Sequence, residues 1–241
     1  MGKGTPAYPV IVLAAVICGF CDDLAGQPIA EEQPAVATQA ASAQRHYADG
    51  PLKPAEFTAA QPASLPSSKS GVRLLAATFT ELHFTADYGY RIVRARYHLR
   101  DFKVRVFATF VPEKSWNAAR EDLRLLAHEQ GHFDLTECFA RRAQQRIDKL
   151  IKQGRIRGAG PNEEKAREAA MKLIQKELAL VVEEWNAEQK RYDDETAHGT
   201  DPTEQAKWRK QMDDELQGAA DEKASRSNPA ALHFPTSDFR L

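Results

Sequence analysis

Alternating apolar and basic positions mark residues 90–110, YRIVRARYHLRDFKVRVFATF. A period of two is typical of a strand with one buried face. Arg100-Asp101 interrupts the alternation, so we expect an antiparallel hairpin that turns there. Its apolar face is expected to join the core. Its basic face is expected to be solvated, with a binding surface for acidic peptide or glycan groups as the alternative.

Helical periodicity follows Pro112 and predicts a first long helix from about residue 116 to 152. Ser115 can cap its first turn, and Gly154 can end it. Gly131 lies inside this helix, where glycine costs about 1 kcal/mol relative to alanine. Close approach of a second helix or a strand would explain it, and a tolerated accident is the alternative.

A second long helix is predicted after Asn162, with an apolar stripe that suits packing against the core. It should end near Gly199, a residue typical of helix C-termini. Asp201-Pro202 then begins a third helix. The pattern predicts an α+β fold over residues 71–218, in which a small antiparallel sheet packs on two long helices and a third shorter helix.

The two ends of the chain differ in composition from residues 71–218. Residues 1–21 carry Lys3 and an apolar run, the layout of a signal peptide or an N-terminal anchor, which predicts a periplasmic or secreted protein. Residues 22–70 are rich in Ala, Pro, Gln and Ser without periodicity, which predicts a disordered linker. Residues 219–241 are expected to form a polar C-terminal tail.

Charge excludes some classes of partner. The net charge is −1, from 33 basic and 34 acidic residues, so the whole molecule has no field that would attract nucleic acid or an anionic membrane. We expect no nucleic-acid partner, and membrane contact only through an uncleaved N-terminal segment. Any charged partner must be met locally.

The stretch LLAHEQGHFDLTE, residues 125–137, carries the candidate chemistry. His128 and His132 lie four apart, so on a helix both imidazoles can reach one metal ion. Glu129 lies beside them, near enough to take a proton from a metal-bound water without ligating the metal. This H-E-x-x-H spacing indicates a zinc (Zn2+) hydrolase in which Glu129 is the base.

A catalytic zinc needs a third protein ligand. Spacing alone leaves several candidates open on or after the second helix: Glu183, Glu184, Glu188, Asp193, Asp194, Glu195 and His198.

HEQGHFDLTE and, about sixty residues later, RYDDETAHGTDPTEQAKW resemble the bacterial family of predicted secreted zinc-dependent proteases catalogued as domain of unknown function 922. The likeness spans roughly residues 90–210 and includes Gln205 and Trp208. It implies a zincin-like metallopeptidase domain in which His198 joins His128 and His132 as metal ligands.

Three further residues of the second motif have expected roles. Asp193 and Thr196 are expected to orient a ligating imidazole by hydrogen bonding without binding the metal themselves. Tyr192 is expected to stabilise an oxyanion through its hydroxyl, with a buried structural tyrosine as the alternative.

The sequence therefore predicts a secreted or periplasmic zinc metallopeptidase that acts on peptide or protein substrates in the cell envelope. An extended substrate could lie along a sheet edge, for which the hairpin at 91–110 is the candidate. One alternative is a non-catalytic zinc-containing binding module. Another is a metal-free helical envelope protein.

Overall fold

The computed structural model describes residues 11–17, 45–68 and 71–227. Its helices are α1 (Leu123–Lys152), α2 (Glu163–Glu195) and α3 (Pro202–Ser227), with three short 3-10 helices at Tyr47–Asp49, Pro54–Glu56 and Pro112–Lys114. Its strands are β1 (Ile11–Ile17), β2 (Arg45–His46), β3 (Ala76–Ala77), β4 (Phe79–Val93), β5 (Arg96–Phe110), β6 (Trp116–Asn117) and β7 (Gly158–Gly160). The predicted α+β class is confirmed.

All strand pairs are antiparallel. The main sheet has the order β1-β4-β5-β2, with β7 also paired to β5, and β3 pairs with β6 in a small second sheet. The long β4–β5 hairpin supplies most of the main sheet and forms the surface on which the helices pack.

Helix α1 is the centre of the core. Residues 128–136 are buried without interruption, because the sheet, α2 and α3 all pack against this helix. Polar contacts fix it to the sheet: Thr136 meets Thr80 at 2.9 Å, and the Gln144 amide accepts from the Val106 N–H and donates to the Val104 carbonyl. The candidate histidines therefore lie inside the domain.

The hairpin turns earlier than predicted. Its turn residues are Arg94 and Ala95, both left-handed at φ 50° and 60°, the conformation that a two-residue turn between twisted strands requires. Neither residue is Gly or Asn, so the sequence lacks the usual signal. The interruption at Asp101, φ 56°, is a β-bulge, since the register shifts between Asp87 and Gly89 on the opposite strand.

Helix α1 begins seven residues after the predicted start. Asp122 is its N-cap and accepts from the N–H groups of Arg124 and Leu125. Ser115 does not cap it, because its hydroxyl donates to the Val111 carbonyl and accepts from the Phe79 N–H. Trp116 and Asn117, directly after Ser115, instead form β6, which pairs with β3.

The other helix boundaries follow their predicted caps. Asn162 caps α2 by accepting from Lys165 N–H, and Asp201 caps α3 by accepting from the N–H groups of Thr203 and Glu204. Gly154 follows the end of α1 with φ 63°. Helix α3 runs to Ser227, so the first nine residues of the predicted polar tail, 219–227, are helical.

The predicted disordered linker is wrong for residues 45–68. Leu52 and Phe57 are buried, and Leu52 N–H donates to the side chain of Gln130 on α1. Tyr47 reaches the same helix by donating to Asp134. These few apolar and polar anchors order a segment whose overall composition is that of a linker.

Of the predicted signal or anchor, the described part is β1, which pairs with residues 79–84 of β4. Residues 22–44 and 228–241, assigned above to the linker and the tail, lie outside the described residues. None of the helices in the described part combines the length and apolar composition that crossing a bilayer requires.

Replacing Phe57 by alanine tests whether residues 45–68 belong to the domain. The Phe57 ring is fully buried, 5.2 Å from that of Phe110, so we expect the free energy of unfolding to fall by about 3–5 kcal/mol. Leu180→Ala is the control, because this leucine is 47% exposed and should cost about 0.5 kcal/mol or less. Urea unfolding measures both. Equal stability of the two variants would restore the linker interpretation.

Candidate metal centre

The two motif histidines lie one turn apart on α1 and point to a common spot. Their Nε2 atoms are 3.2 Å apart, and the residues are 2% and 1% exposed. Close placement of the two imidazoles is what the four-residue spacing predicts for a helix.

The last turn of α2 brings a carboxylate to the same spot. Oδ1 of Asp193 is 3.1 Å from Nε2 of His128 and 3.1 Å from Nε2 of His132. Within the described residues, these three side chains form the group of possible metal ligands whose donor atoms lie within 4.8 Å of one another. Asp193, expected to orient a ligand, is therefore itself one of the possible ligands.

His198 lies beside this group. Its Nδ1 is 3.4 Å from Oδ1 of Asp193, and its side chain is 17% exposed and borders the pocket described below. Three successive left-handed residues carry it there: Ala197, His198 and Gly199, at φ 46°, 53° and 79°. The turn after α2 thus brings the predicted third ligand to Asp193, while the described group of mutually close donors does not include it.

The remaining acidic candidates have other surroundings. Glu184 pairs with Arg146, Glu188 with Arg191, Asp194 with Lys190, and Glu195 accepts from the indole of Trp208. Glu183 is exposed. In the described part of the chain, none of these carboxylates belongs to the group formed by the histidines and Asp193.

Gln189 fixes the protonation of His132. Its amide N–H₂ donates to the His132 carbonyl and to Thr136, which leaves its oxygen 2.7 Å from Nδ1 of His132. An amide oxygen only accepts, so Nδ1 carries a proton, and the neutral imidazole then keeps its lone pair on Nε2. The sequence analysis missed Gln189. Its signal is a polar residue on the apolar stripe of α2, between the buried Trp185 and Tyr192.

Tyr192 and Gln205 act in the same way on His128. The Tyr192 hydroxyl donates to the His128 carbonyl, so it must accept from the Gln205 amide. The amide oxygen of Gln205 then lies 3.1 Å from Nδ1 of His128 and accepts its proton. Both hydrogen-bonding directions of this hydroxyl are used, and burial raises the pKa of Tyr192. This geometry favours the structural alternative over an oxyanion donor.

Thr196, predicted to orient a ligating imidazole, lies against the same ring. Its hydroxyl donates to the Tyr192 carbonyl at 2.6 Å, lies 3.5 Å from Nδ1 of His128 and accepts from Gly199 N–H. It therefore links the end of α2, the ligating face of α1 and the turn that carries His198.

Glu129 differs from its neighbours in the site because its hydrogen bonding is incomplete. The residue is 3% exposed, and its Oε2 atom has no hydrogen-bond partner among the described residues. An unpaired buried carboxylate oxygen is costly. It borders the same pocket as the two histidines, where a water molecule or a ligand would satisfy it.

The pocket has a volume of about 180 Å³. One wall is the candidate metal centre and the turn after α2, and another is the extended chain Val72–Ala76. The site is thus buried on the side of the core and accessible beside residues 72–76.

Burial alone would raise the pKa of Asp193, but its imidazole neighbours outweigh that effect. The neighbouring imidazoles of His132, His128 and His198 hold the pKa of this carboxyl well below its usual range. Asp193 is therefore an anion at neutral pH, the form that ligates a cation.

These features define an α+β domain with a buried His-His-Asp cluster that could hold a metal ion. Residues 45–199 match the family described as "Bacterial protein of unknown function (DUF922)", and the chain belongs to this family. The match begins where the ordered segment with Leu52 and Phe57 begins, and includes all three cluster residues. No curated protein and no solved structure matches the chain.

A close approach of α2 to α1 explains the glycine at position 131, as the sequence suggested. A Cβ atom there would lie 2.1 Å from the Tyr192 hydroxyl oxygen and 2.7 Å from Cζ. The ring cannot move away easily, because it stacks on His128 at 4.8 Å and its hydroxyl is held on two sides.

Gly131→Ala should therefore lower the free energy of unfolding by about 2 kcal/mol or more through overpacking. Gly218→Ala is the matched control: this glycine is also in a helix, but a Cβ there meets nothing within 4 Å, so the change should stabilise the fold by up to about 1 kcal/mol. Denaturant unfolding compares the two. A stabilising effect at both positions would contradict the close approach of α2.

Proposed function

We propose that this domain is a zinc-dependent hydrolase of peptide bonds that acts in the periplasm or outside the cell. His128, His132 and Asp193 are the proposed metal ligands, and Glu129 is the proposed base. One observation carries the proposal: with both Nδ1 protons directed to glutamine oxygens, two Nε2 lone pairs and a carboxylate oxygen face one another at 3.1–3.2 Å. Three such atoms repel unless a metal ion or a shared proton lies among them.

The donor set suits zinc. Zinc binds imidazole nitrogen and carboxylate oxygen at about 2.0–2.2 Å in a tetrahedral arrangement, and ligand atoms in that arrangement are about 3.3 Å apart. The separations of 3.1–3.2 Å agree with this spacing. Catalytic zinc sites have three protein ligands and keep one open position.

Zinc bound here would supply a Lewis acid that makes a water molecule acidic enough to ionise near neutral pH. The chain's own contribution is Glu129, whose unpaired Oε2 is free to accept a proton in the pocket. The same carboxyl can later donate that proton to the leaving amine. Gln189, Gln205 and Thr196 keep the imidazoles oriented while Glu129 changes its protonation.

The extended chain at residues 72–76 is a better candidate for substrate binding than the hairpin suggested by the sequence. It borders the pocket, whereas the hairpin turn lies near the other end of α1. The N–H group of Arg73 has no backbone hydrogen-bond partner in the described part of the chain, and an extended peptide can pair with such an edge.

A non-catalytic zinc module is the second candidate, and the position of His198 favours it. With Nδ1 3.4 Å from Oδ1 of Asp193, His198 could close the site as a fourth ligand. A closed four-ligand site is typical of structural zinc. The buried, unpaired oxygen of Glu129 supports the open site instead, because a structural zinc site does not need a proton acceptor.

Zinc content separates the two ligand sets. We expect about one zinc per chain in protein purified without chelator, and loss of stoichiometric zinc in His128→Ala, His132→Ala and Asp193→Ala. His198→Ala should keep the metal with an affinity about 10–100-fold weaker, the effect of a residue that supports a ligand. Elemental analysis after dialysis against a zinc buffer measures both. Zinc lost from His198→Ala and kept by Asp193→Ala would restore His198 as the third ligand.

Glu129→Gln separates the enzyme from the binding module. The amide keeps the shape of the side chain but cannot act as a base, so we expect zinc content and melting temperature to stay unchanged while cleavage of an unfolded protein substrate falls about 100-fold or more. Glu121→Gln is the control, because this exposed glutamate lies outside the pocket. Equal cleavage by Glu129→Gln and the unaltered protein would refute the proposed mechanism even with zinc bound.

A further inference from the structure

The turn of the β4–β5 hairpin lies away from the candidate metal centre. Residues 90–97, called the hairpin tip below, include the turn and the strand positions beside it. β7, in the connection from α1 to α2, pairs with residues 97–99 just behind the tip. The candidate metal centre lies instead near the start of α1 and the end of α2, so the tip is at the opposite end of these two helices.

Unpaired positive charge is concentrated on the hairpin. Residues 88–105 contain six Lys or Arg and one acidic residue. Arg91, Arg94 and Arg96 are exposed, and within the described residues they have no ion pair. Arg100 pairs with the one acidic residue, Asp101, at 3.3 Å. The tip is therefore cationic although the whole chain has a net charge of −1.

The same tip exposes apolar side chains. Ile92 is 57% exposed and Val93 is 41% exposed, so two neighbouring β-branched residues stand in water at the end of the hairpin. Behind them the rings of Tyr90 and Tyr97 are 5.2 Å apart. Aromatic residues with a polar end are favoured at the boundary between lipid and water.

We propose that the hairpin tip docks on the surface of an anionic phospholipid bilayer. The three arginines of the tip would meet lipid phosphates, while Ile92 and Val93 would enter the boundary of the acyl chains. Such binding depends on apolar burial and on attraction to anionic headgroups together. A nucleic acid or an acidic polysaccharide would use the arginines but gain nothing from the exposed apolar pair, so the combination favours lipid. The inference does not depend on the proposed hydrolase activity.

Vesicle binding by the full chain tests the charge requirement. We expect co-sedimentation with vesicles that contain phosphatidylglycerol and much weaker binding to vesicles of phosphatidylcholine alone. Changing Arg91, Arg94 and Arg96 together to glutamine should lower the partition coefficient on the order of 100-fold, since each such charge contributes about fivefold. The control changes three exposed lysines near the end of α2 and the start of α3, away from the tip, to glutamine: Lys190, Lys207 and Lys210. It removes the same net charge and should leave binding unchanged.

Fluorescence tests the apolar requirement at the tip itself, so that binding through the N-terminal apolar run cannot imitate it. The three native tryptophans are 6%, 0% and 3% exposed and should respond little to lipid. Ile92→Trp adds one at the tip, whose emission should shift to the blue and be quenched by brominated lipid when phosphatidylglycerol vesicles are added. Leu180→Trp, on exposed α2 surface, should show neither effect.

Three results would overturn the inference: equal binding to the two kinds of vesicle, equal binding by the arginine variant and its lysine control, or no spectral change at position 92. A double change of Ile92 and Val93 to serine adds a fourth test. If the unaltered protein ignores vesicles but binds DNA or heparin, and this serine variant binds them as well as the unaltered protein does, the partner is a soluble polyanion. Melting temperatures close to that of the unaltered protein would exclude unfolding as the cause.

Discussion

The close contact of α2 with α1 at Gly131 sets the geometry of the candidate metal centre. Because residue 131 has no Cβ, Tyr192 can reach the His128 carbonyl across the helix surface. That approach places Gln189 against His132 and Asp193 against both Nε2 atoms. The orientation of the imidazoles and the position of the carboxylate therefore come from one helix contact, and a single methyl group there would separate them.

The same contact creates an electrostatic problem that a metal ion would resolve. It buries the carboxylate of Asp193 among imidazoles whose Nδ1 protons already have acceptors, and Glu129 adds a second buried carboxylate nearby. Buried charges are costly unless they are paired. A divalent cation would balance two carboxylates without using the imidazole protons, and this charge balance is the physical basis of our proposal.

Features of the site that depend on residues close in sequence could be predicted. Features that depend on how distant segments pack could not. The spacing of His128 and His132 and the caps at Asn162 and Asp201 depend on neighbours within four residues. The choice between Asp193 and His198 depends on how the chain turns after α2, where Ala197 and His198 both adopt left-handed conformations. A propensity argument assigns such conformations to Gly or Asn, and for this reason it also misplaced the hairpin turn at Arg94 and Ala95.

The net charge of the chain does not describe its local charge, because the helices pair their charged residues and the hairpin tip does not. Acidic residues of α2 and α3 form ion pairs with basic residues one turn away on the same helix. Examples are Lys190–Asp194, Arg191–Glu195, Lys207–Glu204 and Lys210–Asp214. The arginines of the hairpin tip have no such neighbours, because residues on opposite strands face each other in register and Arg91 lies across from His98. A chain that is nearly neutral as a whole can therefore present a cationic tip, since local pairing decides which charges a partner meets.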